Sequence, residues 1–250
     1  DQLIAGVHFD VHASTRQIAE KLIGRSLSDL AAAGASPYSC TLTCAFPEDY
    51  SNEQSFELCN EIISAAAQYQ LAIIGGDCSS AKQLVLSCTV MGRANGKVPG
   101  RNSAKVGGQI YVSRALGGAV HSGRHLSPTP ELALGKLLVE KCSPQAMIDL
   151  SDGLDNDLRR ILRASNIGAR VDVDLLPLNT GCDWQQAVSE GEDYGLLIVL
   201  DEAVALTIDE VLKEDSHRLY RVGEITTSPT LDYRQNSNAV TLDKKPFSYS

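Results

Sequence analysis

Two hydrophobic periods alternate along the chain. Leu3–Val7 reads as a strand. From Ser14 to Gly34, Ile18, Leu22, Ile23, Leu27, Leu30 and Ala31 follow helical spacing, with Ser14 or Thr15 as cap and Gly34 with Pro37 as stop. Tyr38–Ala45 predicts a second strand. Asn52–Gln70 predicts a helix with Ser51 and Gln54 as a capping box and Phe56, Cys59, Ile63 and Ala66 on one face. Leu71–Ile74 is a strand stopped by Gly75-Gly76, and Leu84–Met91 one stopped by Gly92.

The pattern breaks at Ala94–Gly108, rich in Gly, Asn, Lys and Pro, which predicts a boundary between domains at 1–100 and 101–250. Beyond it, strands are expected at Gln109–Ser113, around Ala146–Ile148, at Ala169–Asp174, Leu196–Leu200 and Tyr220–Gly223. Helices are expected at Glu131–Lys141, Leu154–Ser165, Asp183–Ser189 and Glu202–Leu212. Strands and helices mix throughout, so the fold class is α+β or α/β in two halves.

Composition narrows the function classes. The chain has 250 residues, 43% hydrophobic and 21% charged, with net charge −9. That balance argues against nucleic-acid and acidic-membrane partners, which need basic patches. Seven cysteines, odd in number and without a CxxC pair, favour reduced thiols in the cytoplasm over a disulfide frame. Cys40 and Cys44 read as half-buried small residues of a strand. No signal peptide or membrane span is visible. The sequence opens on Asp1 without an initiator Met, so upstream residues are expected.

Four segments share one character: acids at the ends of elements, flanked by Gly or small residues. They are Ser28–Pro37, Ile73–Ser80, Asp149–Leu154 and Gly191–Gly195. In the third, two carboxylates and a hydroxyl sit where a strand ends and a helix begins. That arrangement suits either an N-cap or an ion and phosphate site. Asp29 opposes a helix dipole among alanines, so it either faces water or is compensated, as a metal would do. Asp155 and Asp157 read as solvated first-turn acids, and Asp193 as either a site acid or a turn cap. No Walker A loop, HRD, DFG or HExxH signature occurs. Any phosphate chemistry must rest on metal-bridged carboxylates.

Taken together the chain resembles the thiamine-monophosphate kinase family of the aminoimidazole-ribonucleotide-synthetase-related superfamily. The resemblance lies in Asp1 with Gly6–Phe9, Leu27–Pro37, Ile74–Asp77, Ala146–Leu154, Ala164–Asp174 and Gly191–Tyr194, in family order. It implies ATP-dependent phosphorylation of thiamine monophosphate to thiamine diphosphate, direct in-line transfer, several Mg²⁺ ions and a homodimer. It also implies metal ligation by Asp1, Asp29, Asp77, Asp149 and Asp152, with Asp29, Asp77 and Asp152 as the catalytic acids. Gly76, Asp77, Arg101 and Ser151 would contact ATP, and His8, Glu192 and Phe247 the thiamine substrate.

The chain departs from the family pattern in places. The Gly-Asp-Asp and Ser-Thr elements that usually precede the position of Asp1 are not in it. The family's PGD reads Val106-Gly107-Gly108, its GGDTT continues as Asp77-Cys78-Ser79-Ser80, and its GEDYE ends in Gly195. The stretch between Gly118 and Arg124 is shorter than the family's, as if a helix were absent. Two other readings stay open: a related ATP-using enzyme with a different acceptor, and a nucleotide-binding homologue without turnover.

Overall fold

A computed structural model describes residues 1–10, 12–213, 217–245 and 247–248. The first sheet is built from β1 (Gln2–Ile4), β2 (Ala35–Pro47), β3 (Ala72–Ala81) and β4 (Val85–Ala94), in the order β1-β4-β2-β3. Strands β2 and β3 run parallel and the other pairs antiparallel. Helices α1 (Thr15–Ala32) and α2 (Asn52–Gln68) cover one face, and both begin with a complete capping box, at Ser14/Gln17 and Ser51/Gln54. Leu3, Leu22, Leu27, Leu58, Ile62 and Leu86 form the core between them.

The second sheet has seven strands: β5 (Gln109–Val112), β6 (Ala146–Asp149), β7 (Gly168–Asp172), β8 (Leu196–Leu200), β9 (Tyr220–Thr226), β10 (Leu231–Gln235) and β11 (Asn238–Val240). Their order is β11-β10-β7-β9-β5-β8-β6. Helices α4 (Leu154–Ser165) and α5 (Trp184–Ser189) cover one face. Helix α3 (Leu132–Lys141) and the short α7 (Ile208–Lys213) cover the other. Helix α1 also packs on α3 and β6, so it joins the two sheets. Among the described residues no helix is long and apolar enough to cross a membrane.

The structure corrects several expectations. Strand β3 does not stop at Gly75-Gly76 but runs through Asp77 to Ala81, paired with β2. Helix α2 buries Leu58, Ile62, Ala65 and Ala66, whereas Phe56 is 71% and Ile63 54% exposed. Of the predicted face only Ala66 is fully buried, and the core face is rotated toward Leu58 and Ile62. Cys40 and Cys44 are fully rather than half buried. The Glu202–Leu212 helix divides into α6 (Glu202–Ala205) and α7. Strands β10 and β11 extend the sheet beyond Gly223 through a turn at Asn236 and Ser237, both at positive φ.

Asp155 and Asp157 are buried rather than solvated. Arg159 grips Asp155 through Nε and Nη2, and the Tyr233 hydroxyl donates to the same carboxylate at 2.8 Å. Arg160 pairs with Asp157. Each buried charge therefore has a partner, as burial requires.

Candidate active site

Asp149 is the last residue of β6, and the segment after it is zipped onto Glu192–Gly195. Leu150 N–H donates to Gly195 O, Tyr194 N–H to Leu150 O and Glu192 N–H to Ser151 O, each at 2.8 Å. Gly153, at φ +89°, then turns the chain into α4. A Cβ there would lie 2.8 Å from Glu190 O, so only glycine fits. Neither Ser151 nor Asp152 caps α4: the N-cap is Gly153, without a side-chain bond. Asp157 instead accepts the Asp152 N–H at 3.0 Å.

This turn borders a cavity of about 310 Å³ between the ends of β6 and α1. Asp29, Asp149, Ser151, Arg101 and Arg160 all line it. Asp149 is 6% exposed. Burial pushes its carboxyl up to about 7, the charges of Asp29 and Asp157 add to the rise, and the Ser28 hydroxyl opposes it. Asp29 reaches solvent, yet partial burial raises its carboxyl too. Arg25 and Arg101 pull it back. Two carboxylates thus share one cavity and disfavour each other's charge.

Asp152 turns to Arg160, which also holds Asp157. Asp1 lies 3.3 Å from Arg25. Asp77 does not line this cavity. It is exposed on β3, an edge strand. Gly76 has a structural reason beyond ligand approach: a Cβ would sit 2.1 Å from Leu42 O across the sheet. Gly76→Ala should therefore lower the melting temperature by several degrees, checked by thermal unfolding.

The expected substrate-side residues also converge. Glu192, 3% exposed and at φ +69°, pairs with Lys21. His8 lies near Glu192, Lys21 and Arg25, and its Nδ1 accepts the Ile4 N–H at 3.0 Å, which leaves Nε2 carrying the proton. Burial lowers the His8 pKa, and Arg25 adds to that. The ring of Phe247 covers Gly191, next to Glu192, and its N–H donates to Ser189 O at 2.9 Å.

Sequence reasoning missed Lys21, Arg25 and Arg160. Lys21, Arg25 and Asp29 follow a four-residue spacing on α1, a charged stripe inside an otherwise buried helix, and that spacing was the available signal. Asp193 is buried, accepts the Gly117 N–H at 2.9 Å and pairs with Arg124 at 2.6 Å, so it pins the Gly117–Arg124 loop.

Among the described residues no three His, Cys, Asp or Glu side chains surround one point closely enough to hold a metal alone. The Asp29–Asp149 pair still fits a hard cation that keeps waters and completes its shell with phosphate oxygens, as Mg²⁺ does.

Residues 1–94 match the N-terminal domain of AIR synthase related proteins and residues 106–234 the C-terminal domain. A thiamine-monophosphate kinase of Rhodopirellula baltica is 35% identical over 221 residues, covering 84% of this chain and 69% of that protein. The chain belongs to the thiamine-monophosphate kinase family. The crystal structure of the thiamine-monophosphate kinase from Stenotrophomonas maltophilia, 30% identical, superposes with a TM-score of 0.83 over 96% of this chain and 84% of that one. A 22% identical chain solved as AaThiL complexed with AMPPCP and TMP shares the fold at a TM-score of 0.84, over 99% of this chain and 84% of its own. The two-half α+β class expected from the sequence is the fold of these structures.

Proposed function

We propose that the chain transfers the γ-phosphoryl group of ATP to thiamine monophosphate, giving ADP and thiamine diphosphate. The observation that carries this reading is the shared Asp29–Asp149 cavity in a member of this family. Thiamine monophosphate is an anion that ATP repels, and the cavity holds two acids that need a cation. In the reaction an oxygen of the acceptor phosphate forms a bond to Pγ as the bond from Pγ to the bridging oxygen of ADP breaks. The acceptor oxygen is already ionised at neutral pH, so no strong general base is needed.

Asp29 and Asp149 would hold Mg²⁺, which supplies charge neutralisation between the two phosphate groups. Arg101 offers a forked donor to ATP, and Ser151 a hydroxyl, with Arg160 beside them. Asp152 and Asp1 start from Arg160 and Arg25 and would join the metal set when the phosphates arrive. His8, Glu192 and Phe247 would form the site for the thiamine moiety, the Phe247 ring offering an apolar face and the enclosed Glu192, paired with Lys21, backing it. Several Mg²⁺ ions, a homodimer, a cytoplasmic location and a division at residue 100 belong to the same proposal. The exposed edge strand β3, with Ile74 63% exposed beside Gly76 and Asp77, supports the dimer as a surface a second copy would cover.

An acceptor panel tests this reading. With ATP and Mg²⁺, the full chain should form a diphosphate from thiamine monophosphate and nothing from thiamine or from simple phosphate esters. Turnover with another acceptor alone would favour a different enzyme of the superfamily, and ATP binding without any product a non-catalytic homologue.

A further inference from the structure

The two faces of the second sheet differ at its β10-β7-β9 end. Ala169, Val171, Val222 and Tyr233 point into the core under α4 and α5. From the opposite face three adjacent strands each contribute an arginine: Arg234 of β10, Arg170 of β7 and Arg221 of β9. They line a cavity of about 410 Å³ together with Asp172 and Glu224. None of its residues borders the Asp29–Asp149 cavity.

The hydrogen-bond inventory of this cavity leaves donors over. Glu224 is taken by Arg170 at 2.6 Å, and Asp172 accepts the Asp174 N–H at 3.1 Å. Arg221 gives Nε to Gln109 Oε1 at 2.5 Å, and its two terminal nitrogens have no partner among the described residues. Arg234 gives Nη1 to Ser237 O at 3.3 Å, while its Nε is buried without a partner. A buried donor left unmade costs free energy that an incoming acceptor would recover. Three guanidinium groups face two carboxylates here, a positive excess in a chain of net charge −9.

We propose that this cavity binds a small phosphate-bearing anion at a site separate from the reaction centre. Guanidinium forks match phosphate oxygens in geometry and charge, and three on neighbouring strands can converge on one such group. The carboxylates already engaged by Arg170 and the Asp174 N–H set the limits of the site and disfavour anions too large to avoid them.

The test uses the full chain, inorganic pyrophosphate and calorimetric titration in EDTA at low ionic strength. Without Mg²⁺ the Asp29–Asp149 cavity keeps its two acids unneutralised, and a variant at Arg101, its phosphate-facing donor, reports any binding there. The wild-type chain should bind pyrophosphate, and the double variant Arg221→Gln/Arg234→Gln should weaken binding by roughly tenfold or more. Arg101→Gln, at the other cavity, should leave this affinity unchanged. No binding by the wild type overturns the proposal, as does loss of binding in Arg101→Gln with retention in the double variant. If the double variant unfolds, the exposed Arg170→Gln serves alone, and unchanged affinity there overturns the proposal equally.

Discussion

Asp149→Asn should lower turnover by about two to three orders of magnitude or more, because it removes one of the two carboxylates that would hold the cation neutralising the transferring phosphate. The same change should raise the melting temperature of the protein in EDTA at pH 8. Burial and Asp29 hold the Asp149 carboxyl near 7 in the folded chain, whereas an unfolded aspartate ionises at about 3.9. Between those values the folded state binds the extra proton, so the stability of the wild type falls as pH rises and levels off above about 7. The asparagine variant lacks this loss. Its advantage should be full at pH 8 and shrink as pH falls toward 4, followed by thermal unfolding across pH. Added Mg²⁺ should stabilise the wild type and leave the variant nearly unmoved. A variant that is less stable at pH 8, or that responds equally to Mg²⁺, would remove Asp149 from the cation site.

Lys21→Ala should cost about 3–5 kcal/mol, since it removes the buried cation that the enclosed Glu192 carboxylate faces. The pair is almost wholly enclosed, at 0% and 2% side-chain exposure. Burial lowers the Lys21 pKa, and the attraction of Glu192 opposes that fall. The double variant Lys21→Met/Glu192→Gln should recover much of the loss, because it removes both charges together. Its affinity for thiamine monophosphate should still be weak, as the Glu192 carboxylate would be gone from the proposed thiamine site. Chemical denaturation of the three proteins measures the cost. A loss below about 1 kcal/mol in Lys21→Ala would show that Glu192 draws its compensation elsewhere.

Helices and most strands were legible because their cores are periodic and their caps local. Ser14 with Gln17 and Ser51 with Gln54 lie within one turn of each other, so sequence spacing carries the whole interaction. The segments that misled depend on distant partners. Gly75-Gly76 reads as a stop in isolation, but Gly76 lies flat against Leu42 across a parallel strand pair. Asp155 reads as solvated until Tyr233, 78 positions away, closes over it. At the site, the acids and small residues of Asp149–Gly153 and Gly191–Glu192 were visible as motifs. Their zipping together was not, and the four-residue spacing of charges on α1 does not by itself say that Lys21 meets Glu192 and Arg25 meets Asp1. The capping reading of Ser151 and Asp152 failed because Gly153 already takes the cap position.

Transfer of label from ATP tests the central claim most directly. The full chain is incubated with ATP labelled at the γ-phosphate, thiamine monophosphate and Mg²⁺, and the thiamine products are separated. The label should appear in the terminal phosphate of thiamine diphosphate, one for each ADP formed, and nearly vanish in Asp149→Asn. Label released as inorganic phosphate, with none in a thiamine product, would contradict it.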